Sequence, residues 1–202
     1  MNLDTAQFDT TQLVAVAAAL GWASGLRLYA VLFLTGLAGT LGWVALPPGL
    51  HLLQSPWMLG ASGFMLFIEF FADKIPGLDT LWDGVHTLLR IPAGAALAAA
   101  VFGVDQGSWA VGAALLGGAL AATSHVAKAT TRAAVNTSPE PFSNIALSLA
   151  GDAAVPGMLW LSWAHPVAAL TMLVTTILLM KFLRGLWARL RTGVRYGRNS
   201  PA

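Results

Sequence analysis

From position 12 to position 46 the chain carries one charged residue, Arg27, in 35 positions. A helix that faces water on one side shows a polar stripe, and this stretch has none. At about 1.5 Å per residue it also outruns the roughly 30 Å apolar core of a bilayer. The same bias holds across the chain. Charged residues make up 10% and hydrophobic residues 56%, against about 25% charged in soluble domains. With a mean hydropathy of +0.69, the sequence reads as an integral membrane protein of the all-α class. Cysteine is absent, which excludes disulfides, thiolate catalysis and thiolate metal sites. The pI near 9.4 is not a nucleic-acid signal, because the basic excess sits in 181–198, which holds six Lys/Arg and no acid. The N-terminal "MNLDTAQFDTTQ" has no basic residue, so the first apolar run is expected to be a retained span and not a cleaved signal.

Six apolar segments are expected to span. The first, 12–46, contains Gly21, Gly25 and Arg27, and a break or strong tilt is expected near "GWASGLRLY", with "LPPG" ending the helix. The second, 57–72, carries Glu69. The third, 91–104, is short. The fourth, 109–130, places Gly112, Leu116, Gly117 and Ala121 on one face, which suits close packing in lipid. The fifth, 142–163, is interrupted at "GDAAVPG", and the sixth covers 166–183. Residues 186–202 then form a basic tail along the membrane surface. Lys/Arg placement puts that tail in the cytoplasm. Six crossings place the N-terminus there too, along with the connections 73–90 and 131–141.

The scarce charges concentrate in "FFADKIPGLDTLWDGVHTLLRIP", 70–92. "ADKIPGLDTLWDGVH" and "GDAAVPGMLWLSWAH" share an Asp, a Pro-Gly, a Trp and a His, with 13 residues from Asp73 to His86 and from Asp152 to His165. Segments 19–24 and 119–124 echo as well, each followed by a cation, Arg27 or Lys128. The expectation is two half-repeats, 1–106 and 107–185. Three crossings each would invert one against the other, as in many secondary transporters. Pro76-Gly77 and Pro156-Gly157 would then break two helices from opposite sides.

Ionisable groups in a bilayer are costly and face a polar interior. Arg27, Glu69, Asp73, His125, Lys128 and Asp152 are the candidates for a substrate or ion path, with structural ion pairs as the plainer reading. Glu69 and Asp73, one helical turn apart, could raise each other's pKa and hold a proton. Lys128 and Arg132 suit snorkelling to an interface. Asp79, Asp83, His86 and Arg90 oppose an apolar face of Leu78, Leu81, Trp82, Val85, Leu88 and Leu89, the pattern of an interfacial amphipathic helix. Asn144 and Ser148 are further candidates for a polar surface, while Asn136 and Ser138 suit a turn. No P-loop, HExxH or GxSxG motif is present; no cofactor or metal is expected, and a membrane-embedded lipid enzyme using His and Asp groups is the least supported alternative.

"GLRLYAVLFLTGLAG" (25–39), "EFFADKIPGLDTLWDGVHTLLRIPAGA" (69–95) and "ATTRAAVNTSPEPFSNIALSLAGD" (129–152) resemble a bacterial membrane family described as domain of unknown function 4126. That resemblance implies a polytopic bacterial membrane protein and supplies no substrate. The residues themselves point to a small transporter or channel whose polar cavity accepts an anionic solute or lipid headgroup. The alternative is a non-catalytic scaffold or accessory subunit. The expected partners are the lipid bilayer and a second copy in a homodimer, with no nucleic acid.

Overall fold

The computed structural model describes residues 8–75, 77–103, 107–135 and 141–198. Pro76, Asn136 and Ser138 lie outside the described residues. Those described form a 3-10 helix, Pro48–Gln54, and six α-helices with no strand: α1 Thr10–Thr40, α2 Pro56–Ala72, α3 Leu78–Phe102, α4 Gly107–Val135, α5 Pro141–Ala164 and α6 Pro166–Arg198. Four stretches, α1, α3, α4 and Phe142–Ala164, are long and apolar enough to cross a membrane. The 3-10 helix and α2, bent by 68° against each other, make a fifth if taken as one span. The apolar part of α6, Pro166–Phe182, is shorter.

α1 starts where Asp9 caps it, accepting from the Gln12 N–H at 2.6 Å. It breaks at Arg27, whose φ −149° and ψ 87° are non-helical, inside the stretch where the sequence predicts a break. The break folds the helix back. Before it, Gly21 lies against Gly94 of α3 and Gly117 of α4. After it, Gly36 lies against Leu53, and Gly49 of that same 3-10 helix sits on Ala100 of α3. Gly94 and Ala100 are both C-terminal to Arg90 on α3. The two arms therefore leave Arg27 towards the same end of the bundle. α2 returns along the second arm, with Gly63 at Phe33 and Asp73 at Arg27. α3 leads away again, and α4 runs back beside it. α5 starts near the bend, with Ser148 on Arg27, and passes the start of α1, where the Trp163 carbonyl accepts from Gln12.

Small residues make this crowding possible. A Cβ on Gly25 would stand 2.1 Å from the Ala121 carbonyl oxygen, and one on Gly21 would stand 2.5 Å from Gly117 Cα. Backbones approach this closely only without side chains between them. The buried seam of α4 is Ala113, Gly117, Leu120, Ala121 and Ser124. Of the face expected from spacing, Gly117 and Ala121 belong to it. Gly112 meets open space and Leu116 is exposed.

Two expectations are corrected. No break occurs at Pro156-Gly157: α5 continues through both. Proline is tolerated inside a membrane helix where its surroundings re-satisfy the freed carbonyl, and a break here would leave more backbone groups unpaired. The break at the first echo does occur, with α2 ending at Ala72 and Gly77 at φ 89°. Secondly, α3 is one helix from Leu78, not an interfacial helix followed by a short span. Its apolar residues point outward, Leu81 at 64% and Leu88 at 81% exposure, while Asp79, Asp83, His86 and Arg90 are buried. The polar face turns into the bundle and the apolar face turns to lipid.

Candidate functional site

Five helices and one connection deliver their charges to one place, the bend of α1. Arg27 is carried there by the break. The end of α2 brings Glu69, and the α2–α3 connection brings Asp73 and Lys74. α3 contributes Asp79, Asp83 and Arg90 on one face. Lys128 and Arg132, four apart on α4, oppose Asp79 and Asp83, four apart on α3. α5 adds Asp152.

Five cations meet five carboxylates in one connected network. Arg27 bridges the two aspartates of the echo: Nη1 lies 2.9 Å from Asp73 and Nε 2.9 Å from Asp152. Its Nη2 donates to the Ser148 carbonyl at 3.0 Å and to the Ser148 hydroxyl at 2.9 Å. Lys74 lies 3.0 Å from Asp152. Lys128 reaches Asp73 at 3.1 Å and Asp83 at 3.0 Å. Arg132 touches Asp73, Asp79 and Asp83 at 3.0, 3.3 and 3.1 Å. Arg90 holds Glu69 at 2.7 Å and Asp83 at 2.5 Å. Arg27, Arg90, Arg132, Glu69 and Asp73 are all buried. The formal charges cancel, which is the condition under which so many ions tolerate removal from water.

The bend also frees backbone. The Leu26 carbonyl, next to the non-helical residue, accepts from Lys128 Nζ at 3.0 Å, and the Trp22 carbonyl accepts from Ser124 Oγ at 2.7 Å. Lys128 thus does not snorkel, and neither does Arg132: both turn inward, where carboxylates and a free carbonyl solvate them better than an interface would. In the α2–α3 connection, burial acts to raise the Asp73 pKa, but Lys128, Arg27 and Arg132 outweigh it and hold the carboxyl at about 2. Asp73 is thus a fixed anion at ordinary pH and not a proton store. Its stabilising effect is present above the usual carboxylate range and is lost only as pH falls through about 2.

His125 stands beside the network without joining an ion pair. Thr87 donates its hydroxyl to the Asp83 carbonyl at 2.8 Å, so its oxygen accepts from His125 Nε2 at 2.7 Å. His86 Nδ1 donates to the Trp82 carbonyl at 2.8 Å, and its Nε2 then accepts from the Tyr29 hydroxyl at 3.0 Å. Gly77, at φ 89°, ends the first helix break, and both Gly77 and Gly157 have open space around them. Among the described residues no three His, Asp or Glu form a group that could hold a metal. The sequence reading missed the central places of Arg90, Arg132, Asp79 and Asp83. The signal was the matched i,i+4 pairs of opposite sign on α3 and α4.

A cavity of about 260 Å³ adjoins the network between α1, α4 and α5. Arg27, Lys128, Arg132 and Ser148 line it, together with apolar groups that include Trp22, Leu26, Ala127, Leu147 and Ala154.

The family model for the domain of unknown function DUF4126 matches residues 14–185, and the chain belongs to that family. No curated protein and no solved structure matches the chain.

Proposed function

We propose that this is a small transporter or channel of the bacterial inner membrane, and that the buried network is the gate on a path for an anionic solute or headgroup. One observation carries the reading: Arg27, at a helix break inside the bundle, bridges Asp73 and Asp152. Broken helices meeting buried charges at a cavity are the usual construction of a transport site. The directions of the helices support opposed halves in part. The second arm of α1 and α4 run in opposite senses, as do α2 and α5. The first arm stands outside this scheme and runs parallel to α4.

The fold-back changes the expected topology. The start of α1 lies at the end of the bundle away from the network, so it faces the opposite side from the 73–90 connection. Because the chain lacks cysteine, single cysteines can test this in intact cells. Thr10→Cys and Trp43→Cys are expected to react with an impermeant thiol reagent from one side, and Ala133→Cys only from the other. Labelling of all three from one side would remove the fold-back and the gate built on it.

The transport test uses vesicles reconstituted with the full chain. Two fluxes are read: release of trapped inorganic phosphate, and exposure of a fluorescent anionic lipid to an external quencher. Either flux should exceed that of protein-free vesicles. Asp152→Asn, which loosens Arg27, should change its rate several-fold. Wild-type rates in both Asp73→Asn and Asp152→Asn would end the gate assignment.

A second reading, a scaffold or accessory subunit, is favoured by the neutrality of the network, which a purely structural clamp would also show. It gains if no flux is seen and a stoichiometric membrane partner copurifies.

A further inference from the structure

The charges lining the cavity beside the network are of one sign. The cavity presents Arg27, Lys128 and Arg132 with the Ser148 hydroxyl, and no carboxylate lines it. Arg27, Arg132 and Ser148 are buried, and Lys128 is nearly so. The rest of the wall is apolar, and its rim is formed by exposed Thr131 and Ala150. α4 and α5 scarcely touch, so the mouth opens on the side of the bundle.

Resting on the transport reading above, we infer that this cavity is a binding site for a phosphate-type oxyanion that enters laterally, between α4 and α5. Guanidinium groups match such an anion through paired N–H donors, an ammonium adds a point charge, and a hydroxyl can donate to the remaining oxygen. The apolar wall and side mouth suit an anion that carries an apolar tail.

Neutrality of the network sets a condition. Each of the three cations already faces a carboxylate, and an added anion leaves an excess negative charge in a medium that tolerates it poorly. One carboxylate must give way. Asp152 is the one placed to do so. Its side chain is 20% exposed while that of Asp73 is 0%, and Lys74 remains as its partner when Arg27 turns to the ligand. The oxyanion and Asp152 therefore compete for Arg27.

The test is thermal unfolding of the full chain in a neutral detergent. It is titrated with dioctanoyl phosphatidylglycerol, dioctanoyl phosphatidylcholine and inorganic phosphate, since a ligand that binds only the folded state raises the midpoint saturably. Phosphatidylglycerol should raise it and phosphatidylcholine should not. Ser148→Ala should weaken the apparent affinity on the order of tenfold, the scale of one hydrogen bond to a charged group. Asp152→Asn should tighten it. Ala150→Trp, at the exposed rim and away from every ion pair, should abolish the response while leaving the fold intact. If inorganic phosphate acts like phosphatidylglycerol, the ligand is a free oxyanion; if phosphate is silent, it is a lipid headgroup. No saturable shift in the wild type, or an undiminished shift in Ala150→Trp, overturns the site. Binding without flux would overturn only the transport reading, and flux without binding would overturn only this one.

Discussion

Arg27→Gln is expected to lower the stability of the folded chain in detergent by about 3–5 kcal/mol, the scale of removing one member of a buried ion-pair network and leaving the network with an excess negative charge. The guanidinium stands between Asp73 and Asp152, each 2.9 Å away. Without it the two carboxylates face each other with no cation between them. Asp73 keeps Lys128 and Arg132, and Asp152 keeps Lys74. The damage is therefore expected to fall mainly on the geometry of the bend, where Arg27 also ties α5 through Ser148. Adding Asp152→Asn to Arg27→Gln should recover part of the loss, because it removes one of the two opposed charges. Denaturant or thermal unfolding of the single, the other single and the double variant gives the coupling. Strictly additive losses would show that Arg27 does not bridge the two aspartates.

The second large effect is at Arg90. It is fully buried between Glu69 and Asp83, and it bonds Glu69 through Oε1 while Oε2 has no hydrogen-bond partner. Arg90→Met strands Glu69 and should cost about 3–5 kcal/mol. The double variant Glu69→Leu, Arg90→Met should be close to neutral, because an apolar pair of similar volume escapes the desolvation penalty. Asp83 is not stranded in that variant, since Lys128 and Arg132 lie 3.0 and 3.1 Å from it. The double variant also divides structure from function. If it folds and its flux is unchanged, the Glu69–Arg90 pair is a clamp between α2 and α3. If it folds and its flux is lost, the pair belongs to the gate. A double variant as unstable as Arg90→Met would show that the arginine acts through its packing and not its charge.

Much of this architecture is legible in residue order. The run from 12 to 46 is too long for one straight crossing, and its only charge sits beside glycines, so a break near Arg27 follows from length and cost alone. The Asp73 and Asp152 echo also has a structural counterpart, since both reach the same guanidinium. Its proline pairs do not behave alike. The Asp73 echo falls where α2 ends, while Pro156 sits inside α5. A Pro-Gly pair permits a break, and the packing around it decides whether one forms. The same limit applies to 78–90. Periodicity shows that Asp79 and Asp83 share a face opposite Leu81 and Leu88. It does not show what medium each face meets. In water the acids would turn outward. Here α4 offers Lys128 and Arg132 at the matching spacing, so the acids turn inward and the leucines meet lipid.

The sequence by itself determined the class of molecule, the position of the α1 break and part of the set of costly buried charges, namely Arg27, Glu69, Asp73, Lys128 and Asp152. Each follows from transfer energies that depend on residue type and local spacing. Only the tertiary structure decided that α1 folds back, that α5 runs unbroken through Pro156, and that all ten charges close into one neutral network. Those outcomes depend on pairing between residues as far as 125 positions apart, Arg27 with Asp152. A buried ion is tolerable only beside the partner that cancels it, and which partner arrives is fixed by how the helices pack.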